Sequence, residues 1–137
     1  MIRAGVCWAF KVAAMNGLHQ PEDDYRLALY ASEADLGPET ERYTAKGEAT
    51  GLGYFARGKS LRGRKVVLDR GVAVLDFDDL TWEDASITAA GALLYNATKG
   101  GAALAVLILP EERESVNGPF TVRMPAASKE SALVRFA

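Results

Sequence analysis

The sequence predicts an all-β fold, a jelly-roll-like β-sandwich that carries a short N-terminal helix or arm. Short apolar segments with a period of two follow one another after residue 20, and turn residues separate them. No long amphipathic helix and no βαβ spacing is visible in the sequence, which argues against a parallel sheet. A chain of 137 residues has room for one domain. We therefore predict an arm or short helix over residues 1–20 and a single β domain over residues 21–137.

The N-terminal segment has two interpretations. Trp8, Val12 and Met15 recur at helical spacing, and Gly17 is suited to end a helix. In the first interpretation this helix packs on the domain and Trp8 is a core residue. In the second, the segment is an arm that leaves the domain and docks on a neighbouring molecule, with Trp8 and Phe10 as aromatic anchors.

Most predicted strands follow from local alternation and from turn signals. Residues 25–30 alternate in the manner of a half-buried strand. Residues 33–53 are polar and predict a long surface loop, a feature that usually has a functional or interface role. The segment Asp69-Arg70-Gly71 is a hairpin signal. Further strands are predicted over Lys65–Leu68, Val72–Phe77, Ser86–Tyr95, Ala102–Leu109, residues 120–124 and Leu133–Phe136.

One predicted strand contains a run of small residues, residues 89–92. Small side chains let another backbone or sheet approach closely. This run fits tight packing inside the domain, and it also fits a contact between subunits.

The composition limits the classes of function. Sixteen basic residues against eighteen acidic ones give a net charge of −2, whereas a dedicated nucleic-acid-binding protein usually has a positive excess. The single cysteine, Cys7, cannot form an internal disulfide, and the single histidine excludes sites that need two imidazoles. That histidine, His19, is expected to hydrogen-bond its local turn. No apolar run approaches the roughly 18 to 20 residues that span a bilayer. We expect no cofactor, no metal, no nucleic-acid partner, no membrane partner and no signal peptide.

Residues 53–60 match the phosphate-binding pattern G-x-x-x-x-G-K-S. In such a loop, glycine N–H groups and the lysine hold phosphate, the serine ligates magnesium, and the loop joins a buried strand to a helix. Here residues 45–52 make a poor buried strand, and Gly63 with the two following valines opposes a helix. We therefore interpret the match as coincidental and predict that the chain is not an enzyme and has no catalytic residue.

Two charged segments are candidates for binding. The acidic stretch, residues 76–84, could hold calcium, but it lacks the spacing and the central glycine of an EF-hand loop, and a solvated turn is the simpler interpretation. The basic stretch is either a solvated strand edge or a contact for an acidic protein surface. The basic stretch comprises Arg57, Lys59, Arg62, Arg64 and Lys65.

Fragments along most of the chain resemble, in order, a family of small proteins encoded near the capsid genes of tailed bacteriophages, which includes capsid cement (decoration) proteins. Where many members have Phe-Gly, this chain has Leu109-Pro110, so the resemblance does not define the loop expected over Glu111–Val116. The fragments are Phe10-Lys11, Gly17–His19, Leu27–Tyr30, Ala34, Tyr43-Thr44, Glu48, Gly51–Tyr54, Leu61, Ala73, Asp76–Asp79, Trp82, Ile87–Ala92, Leu94–Asn96, Asn117–Thr121 and Pro125-Ala126.

The resemblance implies a structural virion protein with a jelly-roll-like β fold. It would bind the outer surface of an HK97-type capsid and cement neighbouring capsomers against internal DNA pressure. The implied partners are the major capsid protein and other copies of this chain, as a homodimer or another symmetric oligomer. The implied location is the capsid exterior of a virion assembled in the host cytoplasm. Another virion component (a head fibre base, a tail tube or an adsorption protein) is the alternative, and a carbohydrate-binding β-sandwich is a more distant one.

The candidate interface residues combine the N-terminal aromatic residues, one tyrosine of the long loop and the basic stretch. They are Trp8, Phe10, Tyr43, Arg57, Lys59, Arg62 and Arg64.

Overall fold

The computed structural model describes residues 1–125 and 134–136 of the chain, and all pairings between its strands are antiparallel. The predicted all-β, sandwich-like fold with a short N-terminal helix is confirmed. The helix is α1 (Trp8–Met15). The strands, in chain order, are β1 (Gly5–Val6), β2 (Tyr25–Tyr30), β3 (Lys59–Ser60), β4 (Lys65–Asp69), β5 (Val72–Asp76), β6 (Leu80–Ala85), β7 (Thr88–Asn96), β8 (Ala102–Glu114), β9 (Gly118–Val122) and β10 (Val134–Phe136).

The largest sheet has five strands in the order β1-β8-β7-β2-β3. Strand β2 lies along β7 with Tyr25 opposite Asn96 and Tyr30 opposite Gly91. Residues 103–106 of β8 are all buried, so this part of the predicted apolar strand is covered on both faces. Strand β8 continues to Glu114. The prediction of a loop over Glu111–Val116 is therefore corrected: the loop begins only after residue 114.

The second sheet has three strands in the order β10-β5-β4. Its β4–β5 hairpin confirms the predicted turn: Arg70 and Gly71 have φ angles of 48° and 86°. Two consecutive positive φ angles give a turn whose twist matches that of the flanking strands. Strand β10 matches residues 134–136 of the last predicted strand, Leu133–Phe136. Leu133 itself lies outside the described residues.

The third sheet pairs β6 with β9, and it corrects one prediction. Residues 80–85 form a strand where a solvated acidic turn was expected. Leu80 and Trp82 are buried at alternate positions, as in a half-buried strand. The register then shifts between Trp82 and Ala85, and Asp84 has a φ of 47°. This irregularity breaks the period of two, which made the strand hard to recognise.

The N-terminal segment lies on the domain. Strand β1 pairs with β8, and the backbone N–H of Cys7 donates to the Leu104 oxygen at 2.8 Å. The residues that precede β1 pack against the small-residue run of β7. A Cβ atom placed on Gly91 would come within 2.9 Å of the Ile2 side chain, so the absence of a side chain there makes room for Ile2. This contact supports the interpretation of tight packing inside the domain for that run.

The predicted long loop between β2 and β3 contains only isolated bridges and no helix or longer strand. Its backbone is nevertheless bonded to the sheet at several points. Ala49 N donates to Leu29 O at 2.9 Å, and Tyr43 N donates to Gly101 O at 2.8 Å. The loop is therefore held against the five-stranded sheet along its length.

Candidate interaction surface and cavity

Helix α1 presents an apolar face to solvent. Trp8, Val12 and Met15 are 61 %, 64 % and 91 % exposed, and their spacing places them on one side of the helix. We call these three residues the outer face of α1. The helical periodicity predicted from them is confirmed, but the interpretation that makes Trp8 a core residue is wrong. Three large apolar side chains left in water on one short helix are typical of a contact surface.

The opposite side of α1 faces the domain through Phe10. Its ring is only 6 % exposed and lies 5.1 Å from the His19 ring, measured between centroids. The prediction of Phe10 as an interface anchor is therefore corrected, because the domain itself already covers this ring. Of the two N-terminal aromatic residues, only Trp8 is available to a partner.

The candidates Tyr43 and Arg57 lie together. The Arg57 guanidinium stacks over the Tyr43 ring, 5.0 Å from its centroid, and the Arg57 side chain is otherwise exposed. The Tyr95 hydroxyl donates to the Arg57 carbonyl oxygen, which fixes the backbone beneath this pair. The Arg57–Tyr43 pair thus forms a positively charged, ordered patch on the long loop.

The remaining basic candidates have separate environments. Lys59 is exposed, and its Nζ donates to the Thr81 carbonyl oxygen at 2.5 Å. Arg62 is exposed as well. The Arg64 guanidinium instead lies over the Tyr25 ring at 5.6 Å, and its Nε atom is buried. The basic stretch is therefore divided between surface positions and one side chain that enters the fold.

The segment that matches the phosphate-binding pattern has a different geometry from a phosphate-binding loop. A two-residue strand, β3, follows it in place of a helix. The Ser60 hydroxyl donates to the Asp24 carboxylate at 2.7 Å, and the Lys59 ammonium is bonded to a carbonyl oxygen. Glu48 accepts a hydrogen bond from the Arg57 N–H at 2.8 Å, so a carboxylate lies beside the loop's backbone. A second anion there would be repelled.

Glu48 is the centre of a tyrosine network that sequence patterns do not indicate. Its carboxylate accepts hydrogen bonds from the hydroxyls of Tyr43 and Tyr54. Burial, together with the hydrogen bond to Glu48, raises the pKa of Tyr43 to about 12. Burial and the nearby Glu48 charge also raise the pKa values of Tyr54 and Tyr30 above their ordinary range. These hydroxyls therefore stay protonated and act as donors near neutral pH.

A second polar cluster surrounds Asn96, which is fully buried. Its Nδ2 donates to Asp23 Oδ2 at 2.8 Å and lies 3.0 Å from His19 Nδ1. His19 is thus structural, but its partner belongs to β7 and not to the local turn that was expected. Burial lowers the pKa of His19, which favours the neutral imidazole near pH 7. For Asp23, burial would raise the pKa, but hydrogen bonds from Asn96 and from the Gln20 N–H outweigh it and lower it.

A cavity of about 180 Å³ lies where α1, β2, β8 and the second sheet meet. Its walls are mostly apolar, and three polar side chains reach it. The lining includes Phe10, Val74, Leu104, His19, Tyr25 and Arg64. It is separate from the outer face of α1 because Phe10 lines it from the opposite side of the helix.

The geometry also bears on metal binding and on membrane spanning. Across residues 1–125 and 134–136, no group of three or more His, Cys, Asp and Glu side chains is arranged to hold a metal ion. No helix in the described part of the chain combines the length and the apolar character that a membrane span requires.

These features define a β-sandwich-like protein with an exposed apolar helix face and a separate, partly open cavity. Compared with models of protein families, with curated proteins and with solved structures, the chain matches none.

Proposed function

We propose that this chain is a structural virion protein that binds the outside of an HK97-type phage capsid and cements neighbouring capsomers against the pressure of packaged DNA. The observation that carries the proposal is the outer face of α1, which exposes Trp8, Val12 and Met15 side by side. The resemblance of the sequence to phage cement proteins supports the choice of the major capsid protein as partner. The protein would then reside on the capsid exterior and act without catalysis.

The outer face is mounted rigidly, which suits a mechanical role. The first residue of α1 is held by a hydrogen bond from Trp8 N to Pro38 O at 2.8 Å, and Cys7 N is bonded to β8 at the same distance. Phe10 fixes the other side of the helix in the core. A rigid anchor loses little conformational entropy on binding, so more of the contact energy appears as affinity. Tryptophan is also the residue most enriched among binding hot spots.

Charged side chains on the long loop would set the orientation of the contact. The Arg57–Tyr43 pair and the exposed Lys59 and Arg62 provide positive charge on a chain whose net charge is −2. Charges at the rim of an interface contribute more to specificity and to association rate than to affinity. Contacts with the shell and with other copies of this chain at symmetric positions would then act together through multivalency.

Fragments that carry the resemblance include residues of both polar networks. Tyr43 and Glu48 belong to the tyrosine network, and His19 and Asn96 belong to the second cluster. The hydrogen bonds of these side chains hold the fold together. The resemblance thus supports a common scaffold, and the outer face of α1 supports the contact that the scaffold makes.

The test is co-sedimentation of the purified protein with mature capsids from a mutant phage that lacks it. We expect saturable binding in a fixed ratio to the major capsid protein, and greater resistance of the shells to heat. A triple variant (Trp8→Ser, Val12→Ser, Met15→Ser) should bind at least about 30-fold more weakly, since a central tryptophan commonly contributes 2 kcal/mol or more. The matched control is Val116→Ser, because Val116 is also exposed (70 %) but lies in the loop between β8 and β9, away from α1.

Three results would count against the proposal in different ways. Binding of the triple variant at wild-type strength would remove the outer face of α1 as the contact. Absence of binding to shells, combined with presence of the protein in isolated tails, would favour the alternative of a tail component. Presence at a single vertex of the head would favour a head fibre base.

A further inference from the structure

The cavity between α1 and the second sheet has the size of a small organic ligand. Its volume is about 180 Å³. An apolar cavity of about 150 Å³ in another protein accepts a benzene ring, so this one can accept a ring or a short branched chain. The walls include Val74 and Leu104, which are almost fully buried, while Val66 at its margin is 59 % exposed. A ligand would therefore have apolar walls and a route to solvent.

Hydrogen bonds around Asn96 fix which nitrogen of His19 carries the proton. The Asn96 Oδ1 accepts from the backbone N–H groups of Thr98 and Lys99, at 3.1 and 3.3 Å. Its Nδ2 must therefore be the group that faces His19 Nδ1 and Asp23. An amide NH₂ only donates, so His19 Nδ1 must accept. The neutral imidazole then carries its proton on Nε2.

The protonated Nε2 is buried and has no hydrogen-bond partner among the described residues. The same holds for Nε of Arg64, which also lines the cavity. Buried donors without acceptors are rare in native proteins because each loses its hydration without compensation. Arg64 also has no ion pair in the described part of the chain, and its guanidinium, which lies over the Tyr25 ring, places a positive charge beside the apolar walls. An apolar ligand with one anionic acceptor would accept hydrogen bonds from both donors and would neutralise the charge of Arg64.

We propose that this cavity binds a small monocarboxylate whose apolar body is about the size of a benzene ring. The carboxylate would accept hydrogen bonds from Nε2 of His19 and from Nε of Arg64, and the apolar body would contact Val74 and Leu104. This site goes beyond the proposed virion role, and neither depends on the other.

The test uses the full chain and three probes: benzoate, benzyl alcohol and acetate. Benzoate has both the ring and the charge, whereas benzyl alcohol lacks the charge and acetate lacks the ring. We expect saturable binding of benzoate by calorimetry, with changes in the NMR signals of the His19 imidazole and the Val74 methyl groups. The other two probes should bind at least about tenfold more weakly, since a hydrogen bond to a charged group commonly gives that factor or more.

Two variants locate the site. Arg64→Met keeps an apolar stem but removes the donor and the charge, and it should weaken benzoate binding at least about tenfold. The matched control, Arg62→Met, removes an exposed arginine nearby and should leave binding unchanged. Ala73→Leu adds volume to the cavity wall and should abolish binding. The NMR map locates the ligand on the wild-type protein even if Ala73→Leu fails to fold.

The proposal is overturned if benzoate does not saturate the wild-type protein, which would leave water as the occupant of the cavity. Equal affinity for benzyl alcohol would show that the two donors do not select an anion. Wild-type affinity in Arg64→Met, or NMR changes confined to the outer face of α1, would equally contradict it.

Discussion

Glu48 accepts a hydrogen bond from the backbone N–H of Arg57 at 2.8 Å, across nine positions of the chain. Through this bond and those from the Tyr43 and Tyr54 hydroxyls, one carboxylate joins the two halves of the long loop. The Tyr54 hydroxyl in turn accepts from Leu29 N at 3.0 Å, which connects the loop to β2. The loop is thus ordered by a polar network where it lacks regular secondary structure.

Replacement of Glu48 by glutamine should destabilise the protein by about 2–3 kcal/mol. Glutamine keeps the size but has one acceptor oxygen in place of two, and its NH₂ group would face a donor. Urea unfolding measures the loss, and Glu41→Gln, at an exposed position, is the matched control. Equal midpoints for the two variants would show that the network does not stabilise the fold.

The same variant should change the titration of Tyr43. Burial and the hydrogen bond to Glu48 raise its pKa to about 12, so the stability contributed by the protonated hydroxyl is complete below pH 10 and is lost as the pH rises toward 12. In Glu48→Gln the pKa should fall but stay above 10, because burial remains. Absorbance titration of the tyrosinates measures this shift, and an unchanged titration curve would contradict the assignment.

Gly58 illustrates why a motif can match without its function. A Cβ atom at this position would collide with the Leu27 carbonyl oxygen and lie 2.7 Å from Ala28 Cα, so the glycine lets β3 approach β2. Gly58 is the second glycine of the phosphate-binding pattern, and close packing of β3 on β2 is enough to require a glycine there. Binding of nucleotide is therefore not needed to explain this glycine.

We expect Gly58→Ala to cost about 4 kcal/mol or more, because the obstructing atoms are backbone and cannot move away cheaply. Gly71→Ala is the matched control: Gly71 has a similar φ (86° against 74°), but nothing lies within 4 Å of its added Cβ. The control should cost about 1–2 kcal/mol, the strain of the left-handed conformation alone. Thermal unfolding of both variants measures the difference, and equal losses would refute the packing argument.

The elements with local signals were the ones that could be predicted. The β4–β5 hairpin follows from the turn signal Asp69-Arg70-Gly71, in which glycine readily adopts a positive φ, and the apolar core of β8 follows from its unbroken run of apolar residues. The strand β6 was missed because a bulge near Asp84 interrupts its alternation and adjacent acidic residues suggested a turn. Local pattern thus identifies an element only where the backbone is regular.

The two polar networks could not be predicted: no known motif describes the spacing of the residues around Glu48, and the cluster around Asn96 joins residues far apart in the sequence. Asn96 contacts His19 and Asp23 across more than 70 positions, and no spacing rule connects them. Similarly, the period of Trp8, Val12 and Met15 indicates a helix but does not say which side is covered. That depends on Phe10 meeting His19, which only the tertiary structure reveals.

Truncation of a side chain should destabilise the protein strongly on the buried face of α1 and only slightly on its outer face. Phe10→Ala removes a buried ring and should destabilise the protein by about 3–5 kcal/mol. Trp8→Ala, two residues earlier on the same helix, should change stability by less than about 0.5 kcal/mol because its ring is 61 % exposed. Chemical unfolding compares the variants directly. A large loss for Trp8→Ala would mean that Trp8 packs in the free protein and is not reserved for a partner.

Cys7 should be inert to thiol reagents in the native protein. Its side chain is fully buried, and burial raises the pKa of the thiol to about 11. At pH 8 only about one thiol in a thousand would be ionised, against about a quarter for a thiol of ordinary pKa. The stability contributed by the protonated thiol is therefore complete below about pH 8.5 and is lost as the pH rises toward 11. Labelling with a chromogenic disulfide reagent at pH 8 measures the reaction.

Unfolding in guanidinium chloride should restore the full rate, with glutathione in the same buffer as the reference for an accessible thiol. Native labelling should be at least about a hundredfold slower than labelling of the unfolded chain. Destabilising variants provide the internal check: Phe10→Ala should speed native labelling, because Phe10 and Cys7 lie in the same core and the reagent reaches the thiol through opening of that core. Native labelling at the glutathione rate would show that Cys7 is accessible, and the described attachment of β1 and α1 to β8 would then be incorrect.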